Sequence, residues 1–492
     1  MQQPTIPGVY IQEIPNLPPS IVSVPTAIPA FIGYTQMATE YVTNDLLLKP
    51  TMIESIMEYQ QYFGSAYPET GLSLTFGTDS QGNPTVLANV DPNARSKFLL
   101  FYALQLFFDN GGGQCYIVSV GTYPTDGSSG IINRSDLVNG LNAIENTDDV
   151  TLILFPDSMN MDNYQDYYAL HQSAITQCVN LQNRFTVMDL YRTSVVVGTN
   201  PPAVDNSTLG WNTDVQKMRN QNNFTGGISG DVETVKYGAV YFPRLLTDIA
   251  FVYNESKVKI TGVSGFSSMA DLKTPPSGHT AQNQLYNMAK DTIANDLEML
   301  LPTAGAIVGV YAQVDNARGV WKAPANVNIQ DAWDLEVKIT NNDQSNLNVD
   351  PVGGYSINAI RYFPGRGSAI IWGARTLAGN DNEWRYVPVR RFFTMVEQSV
   401  KNACAQFVFE PNDMNTWVRV KAMISNYLTE QWKSGALYGA TAKDAFYVYI
   451  GLGQTMTAID VLEGRMIVQI GMAAVRPAEF IVLQFIQTMP SA

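Results

Sequence analysis

GRMIVQIGMAAVRPAEFIVLQFIQ, residues Gly464 to Gln487, ends the chain in a way that sets the architecture expected of the rest. Its pattern predicts two strands broken at Arg476-Pro477. In the second, Phe480, Val482 and Ile486 fall on one face and Ile481, Leu483 and Phe485 on the other, because successive strand side chains alternate sides. A strand apolar on both faces needs cover on both. Yet this one lies at the chain's end, behind a proline that has no N–H for a ladder. Two placements fit: an internal edge strand, or a strand added to the sheet of a neighbouring copy.

The opposite end favours the second placement. Pro4, Pro7, Pro15, Pro18, Pro19, Pro25 and Pro29 exclude a helix over residues 1–29 and favour an extended arm. Between them, GVYIQEI (Gly8–Ile14) has room for one short strand, with Val9, Tyr10, Ile11, Gln12, Glu13 and Ile14 as the candidate pairing residues. Val9, Tyr10, Ile11, Ile21, Val22 and Val24 make the arm too apolar for a good disordered tail. The matching candidates in the C-terminal arm, residues 476–492, are Glu479, Phe480, Ile481, Val482, Leu483 and Phe485.

The 492 residues between and including these arms suffice for about three domains. A net charge of −14 argues against nucleic acid as a partner. No Lys or Arg precedes Lys49, so no secretory leader is expected, and synthesis and folding in a cytosol follow as an expectation. No uninterrupted apolar run nears the roughly 20 residues of a bilayer span, so no membrane insertion is expected. Cys115, Cys178 and Cys404 are few, odd in number and far apart, which predicts free thiols.

From Ala30 the chain reads as globular. AFIGYT (Ala30–Thr35), Cys115–Val120, Val150–Phe155, Phe185–Leu190 and Tyr237–Phe242 predict buried strands. Helices are expected at Ile53–Phe63, Asn93–Asp109, Tyr164–Leu181, Gln282–Leu301 and Ala304–Val314. This alternation predicts a mostly parallel sheet covered by helices. Gly305 and Gly309 would let another backbone approach the last of these helices closely. Gly71–Asp91 and Phe266–Thr280 read as turn-rich, and Arg192–Asp231 as a surface excursion. From Tyr355 a second, α+β unit is expected. It has strands at Ser356–Phe363, Ala369–Trp372 and Phe446–Ile450, and helices at Arg390–Phe407 and from Trp417 to Gly435.

Catalytic chemistry finds little support. The two histidines, His171 in a helix and His279 in a loop, have no metal-ligand spacing to each other or to a cysteine. Neither adjoins a nucleophile turn. Gly111–Gly113 precedes a strand and no Gly-Lys-Ser/Thr follows, so it reads as a helix stop and not a phosphate loop. No catalytic, cofactor-binding or metal residue is assigned. Arg361, Arg366, Arg375, Arg385, Arg390 and Arg391 cluster with only Asp381 and Glu383 against them locally. They form either a solvated face with internal ion pairs or a basic stripe that meets an acidic partner.

Several runs resemble contractile tail sheath proteins: INAIRYFPGRG (Ile357–Gly367), WGARTL (Trp372–Leu377), WRYVPVRR (Trp384–Arg391), FEPN (Phe409–Asn412) and PAEFIVLQF (Pro477–Phe485). PGVYIQEI (Pro7–Ile14), AFIGYT, NGGGQCYIV (Asn110–Val118) and GVYAQVDNARGVWKAPAN (Gly309–Asn326) match the same family in the same order. Residues 191–280 are least like the common pattern. The family spans phage tails, pyocin-like particles and extracellular contractile injection systems; in type VI secretion the unit is split over two chains, whereas here one chain carries both arms.

The resemblance implies a multidomain sheath fold, α/β and α+β. It consists of an N-terminal extended arm (1–29), an α/β domain (30–345) with a surface-exposed variable region at about 191–280, an inner C-terminal domain (346–475) and a C-terminal strand arm (476–492). It also implies arms that donate strands to neighbouring subunits, hexameric rings stacked around an inner tube protein, and contraction without a nucleotide. The implied partners are other copies of the chain, the tube, baseplate and terminal cap proteins, and possible sheath paralogues. The six arginines become candidate tube- or neighbour-facing residues. The alternatives are a minor baseplate-proximal or terminal sheath paralogue and an α/β-fold enzyme.

Overall fold

Apolar runs such as LIL (Leu152–Leu154) and FTVMD (Phe185–Asp189) are buried at every residue, as befits strands covered on both faces. In the computed structural model, which describes residues 20–91, 95–125, 130–192, 208–296 and 299–482, they sit at the centre of an eight-stranded sheet. The strand order is Gly367–Ile371, Ile357–Phe363, Gly238–Phe242, Phe185–Asp189, Leu152–Leu154, Pro29–Thr35, Cys115–Thr122 and Thr51–Ile53. The inner neighbours run parallel and the two outermost strands antiparallel. The mostly parallel sheet expected from the sequence is therefore present. The strands expected at 356–363 and 369–372 extend this sheet.

The residues group into two compact units. One comprises 20–24 with Met395–Val475, the other Pro25–Thr394 with 476–482. The sheet belongs to the second and larger unit. Alternation splits that unit's core into two layers. Phe31, Ile117, Leu154 and Val187 face a layer that includes helices Leu100–Asp109 and Ala304–Arg318. Ala30, Ile32, Val118, Ile153 and Met188 face the other, with helices Arg134–Ala143, Tyr164–Leu181 and Thr208–Met218.

The two glycines flagged in Ala304–Arg318 explain how it reaches the sheet. A Cβ on Gly305 would lie 2.5 Å from the Ala103 carbonyl oxygen, and one on Gly309 would lie 2.5 Å from that of Phe107. Two helices thus touch backbone to backbone, which only glycine permits. Asp157 fixes the other end of Leu100–Asp109. Its carboxylate accepts from the backbone N–H groups of Leu99 (2.6 Å), Leu100 (2.9 Å) and Tyr34 (2.8 Å). It thereby ties the helix N-terminus to a strand of the sheet.

Four stretches differ from the sequence reading. Gly71–Asp91 holds a hairpin, Leu72–Thr78 paired with Pro84–Val90, and not a turn-rich loop. Leu72, Leu74 and Phe76 point inward on alternate positions, and Asp79 closes the turn by accepting from Gln81 N and Asn83 N. The long helix expected to run to Leu301 stops at Asp296, and Met299–Leu301 pairs as a strand with Leu245–Thr247. Within the expected surface excursion, Thr208–Met218 is a helix that buries Trp211, Val215 and Met218. The helix at Asn93–Asp109 begins only at Leu100.

The smaller unit contains the last part of helix Val387–Cys404, helix Met414–Lys433, and a two-stranded sheet of Phe446–Tyr449 with Gln469–Met472. Asp413 caps the second helix by accepting from Thr416 N at 3.0 Å. Beyond the sheet the pairing continues as an isolated bridge, Leu437 with Ala474.

Candidate assembly surfaces and arm roots

The expected N-terminal pairing residues Val9, Tyr10, Ile11, Gln12, Glu13 and Ile14, and the C-terminal Leu483 and Phe485, lie outside the described residues. What is described is where each arm begins. In the smaller unit, Val24 N donates to Ser399 Oγ (3.0 Å), and the Ser23 and Tyr427 hydroxyls are hydrogen-bonded (3.0 Å). In the larger unit the Thr26 hydroxyl donates to Asp315 Oδ2 (2.6 Å), and its carbonyl accepts from Arg391 Nη2 (2.9 Å). Arg391 grips Asp315 with both terminal nitrogens, at 3.1 and 2.5 Å, and its guanidinium lies over the Tyr311 ring at 4.6 Å. Both side chains of this pair are almost wholly buried.

At the C-terminal side, Glu479 does not lie in a strand. Its Oε1 accepts from Arg375 Nε (2.9 Å) and Asn348 Nδ2 (2.8 Å), and its Oε2 from Arg375 Nη2 (2.6 Å) and the Tyr386 hydroxyl (3.0 Å). Partial burial pushes the Glu479 carboxyl up, but the bonds from Arg375, Asn348 and Tyr386 outweigh it and leave the pKa below the ordinary value. The next three residues turn outward. Phe480, Ile481 and Val482 are 71%, 79% and 79% exposed and belong to no strand among the described residues.

The six arginines do not share one surface. Arg375, Arg390 and Arg391 are buried, which corrects their expected place on a tube- or neighbour-facing stripe. Arg390 packs its guanidinium over Trp384 (4.5 Å) and Tyr237 (5.1 Å) and donates to Thr394 Oγ1. Reversing the charge of Arg390 or Arg391 would therefore perturb the interior and not a contact face. Arg361 is half-buried and bonds the Ile339 carbonyl, Asn341 and Gln344. Arg385 bonds the Asp381 carbonyl and Asn382. Arg366 is exposed, with its guanidinium against Phe363 and Trp372. Nothing in a short window of sequence marks Asp315 and Thr26 as partners of Arg391, or Asn348 and Tyr386 as partners of Glu479, because each stands far from its partner along the chain.

The two-stranded sheet of the smaller unit offers an open surface. Among the described residues, each of its strands has one edge outside the ladder. Tyr447 and Tyr449, on one face, stack at 4.7 Å and remain partly exposed, while Val448 on the other face is buried. Two strands alone are marginal, so such a sheet gains from added ones. The same unit exposes Val408, Phe409, Met414, Val418, Ile459 and Leu462.

The groups weighed for catalysis sit in structural roles. His171 is buried between Phe155 and Tyr167, both ring nitrogens lack a partner, and burial pushes its pKa down to about 3. Burial raises the Cys178 thiol to about 12, and Cys115 is likewise buried and pushed up. All three cysteines are free. Gly111 has φ +92° and, with Gly112, terminates helix Leu100–Asp109. Among the described residues no group of three or more His, Cys, Asp or Glu could hold a metal ion. Among them, too, no helix is long and apolar enough to cross a membrane.

Comparison with known proteins agrees with this geometry. Residues 379–488 match the family model for the phage tail sheath C-terminal domain. The tail sheath protein of Vibrio phage KVP40 is 29% identical over 147 residues, which cover 29% of the chain but only 21% of the phage protein. The anti-feeding prophage helical sheath in its contracted state is 30% identical, with 98% of this chain and 99% of that chain covered and a TM-score of 0.61. The contracted sheath complex of an extracellular contractile injection system, PVC, is 28% identical over 99% of both chains, again with a TM-score of 0.61. A chain of the anti-feeding prophage baseplate is 29% identical over 99% of both chains, with a TM-score of 0.60. At 30% identity over nearly the whole of both chains, the likeness to the anti-feeding prophage helical sheath shows that the chain belongs to the contractile tail sheath protein family.

Proposed function

We propose that the chain is a structural subunit of a contractile sheath, polymerising as stacked hexameric rings around an inner tube and contracting to drive that tube through a target envelope. One observation carries this function: likeness over nearly the whole chain to a helical sheath in its contracted state. The geometry supplies a physical means. Phe480–Val482 leave an anchored root as an exposed apolar segment, and the two-stranded sheet has edges to accept a strand. Both arms, through Val9–Ile14 and Phe480–Phe485, add strands to such sheets in adjoining copies. A strand that forms about five backbone hydrogen bonds at ~0.5–1.5 kcal/mol each gives roughly 2.5–7.5 kcal/mol per arm. Apolar side chains buried between copies add ~25 cal/mol per Å².

Subunits tethered in this way rotate and move outward without losing their neighbours. Contraction is then a shift from a state held by tube and baseplate to one with larger contacts between subunits. No nucleotide or cofactor enters the cycle. Exposed Arg366 and the half-buried Arg361 and Arg385 remain the candidates for contact with an acidic tube or neighbour surface. The particle is phage tail-like, free or cell-anchored, with baseplate and cap proteins at its ends.

A second reading, a baseplate-proximal sheath paralogue of the same particle, is favoured by the equal likeness to the baseplate chain. Electron microscopy of purified particles tests the first reading. Striated hollow cylinders containing this chain as their most abundant protein are expected. Particles in which it is a minor band located at one end would overturn it in favour of the second. Deleting residues 1–14 is expected to leave soluble subunits or a sheath locked against contraction; normal contractile particles would refute the strand-exchange mechanism.

A further inference from the structure

We infer that Arg375 and Glu479, steadied by Asn348 and Tyr386, are positioning residues that form the mechanical root of the C-terminal arm. They fix the point from which the arm leaves its subunit. This inference rests on the sheath function proposed above.

Burial changes abruptly along the chain here. No residue from Arg476 to Val482 is buried, and the side-chain bonds of this stretch all end on the Glu479 carboxylate. The segment therefore adds no core to its own subunit. A carboxylate with four donors is out of proportion to so little packing, and it suits a fastening better than a fold contact. Its receptor is preorganised. Arg375 Nη1 donates to the carbonyls of Gly379 (2.9 Å) and Asn348 (3.2 Å), and Arg375 N donates to Asn358 Oδ1 (2.7 Å). The guanidinium is thus aimed before Glu479 arrives.

A fork-to-fork ion pair is directional, so a slip of one residue takes the carboxylate away from all four donor atoms at once. Tension along the arm then reaches the sheet-bearing unit at a fixed point and is not dissipated by sliding. The N-terminal side uses the same device independently. Arg391 and Asp315 clamp Thr26 where that arm begins. Two arginines of the cluster thus each hold one arm root.

The test uses full-length chain assembled into particles, comparing wild type, Glu479→Gln, Arg375→Lys and a deletion of residues 480–492. Glu479→Gln keeps the side chain's size and leaves buried Arg375 without its counter-charge, so a thermal melt of each soluble variant is recorded beside its sheath length, and a sheath that shortens in a chain still folded at the assembly temperature reports the anchor. Sheath length is expected to fall several-fold with Glu479→Gln. It should fall less with Arg375→Lys, which keeps the charge and loses the fork. The pH profile separates an anchor from a packing role. The charged and titratable groups facing Glu479 are Arg375 and Tyr386. Wild-type sheath should shorten as pH falls below the ordinary glutamate value, whereas Glu479→Gln should be flat there. Wild-type sheath length and an unchanged acid profile in Glu479→Gln would overturn the anchor. If the deletion also assembles normally, the arm function itself fails; if the deletion abolishes sheath, only the anchor does.

Discussion

Asp315→Ala should release the N-terminal arm root, and the effect can be sized from the structure. Arg391 and Asp315 are almost fully buried, so removing one partner leaves an uncompensated charge, at about 3–5 kcal/mol. The Thr26 hydroxyl loses its acceptor as well, about 1 kcal/mol more. Arg391 keeps the Thr26 carbonyl and the Tyr311 face, which places the expectation near the lower end, about 3 kcal/mol. Replacing both partners with apolar groups of similar size, Arg391→Met with Asp315→Leu, should come close to neutral, since no charge is then stranded.

Global unfolding of a chain with two units is a poor gauge of such a local change. Hydrogen exchange is a better one, because Ile28 N, two residues beyond Thr26 in the same unit, is hydrogen-bonded to Thr151 Oγ1. A loss of about 3 kcal/mol is roughly a hundredfold rise in the opening constant. Asp315→Ala should therefore speed exchange at the Ile28 amide by about that factor, with the double variant near wild type. Unchanged exchange in Asp315→Ala, or a double variant as fast as the single, would refute the assignment of the ion pair as a buried clamp.

Three further outcomes are expected. Burial holds the His171 pKa near 3, below its unfolded value of 6.5. The stability this neutral ring permits is fully present above pH 6.5 and is lost as pH falls toward 3; His171→Phe should flatten that acid limb in a pH series of thermal melts. Gly305→Ala would put a methyl 2.5 Å from the Ala103 carbonyl oxygen, and should destabilise the soluble chain by about 1–3 kcal/mol in denaturant titration. Phe409 holds φ +72° with its ring fully exposed. Phe409→Gly relieves about 1–2 kcal/mol of left-handed strain against roughly 0.4–1 kcal/mol of added unfolded-state entropy, so a slightly higher melting temperature is expected.

What was legible in the sequence was whatever a short window contains. Continuous apolar runs gave the central strands, and Gly305 and Gly309 announced a helix contact that the structure places against Ala103 and Phe107. The hairpin at Leu72–Val90 was missed because its outward positions, Leu87 apart, are Ser, Thr, Gly and Asn, which read as loop. Helix Thr208–Met218 was missed for a similar reason: its buried apolar residues, Trp211, Val215 and Met218, share that face with Asp214 in an Asn- and Thr-rich setting. Met299–Leu301 continues the apolar spacing of the helix before it, so nothing local marked the switch to strand. The arginines were misplaced because charge was balanced against sequence neighbours. Their true counterparts, Asp315 for Arg391 and Glu479 for Arg375, come from other elements, and only folding brings them together.

The large sheet is sealed against recruits. Beyond Gly367–Ile371, the stretch Asn326–Ile329 already occupies the flank: Asn326 N donates to Ile371 O, Ile371 N to Val327 O and Ile329 N to Ala369 O. Its opposite border, Thr51–Ile53, is only three residues long and makes a poor template. An unpaired border of some length is what an added strand needs, and what makes unwanted copies stick. Among the described residues the broad sheet keeps no such border, whereas each strand of the small sheet has one, so the proposed strand exchange has a single sheet to aim at.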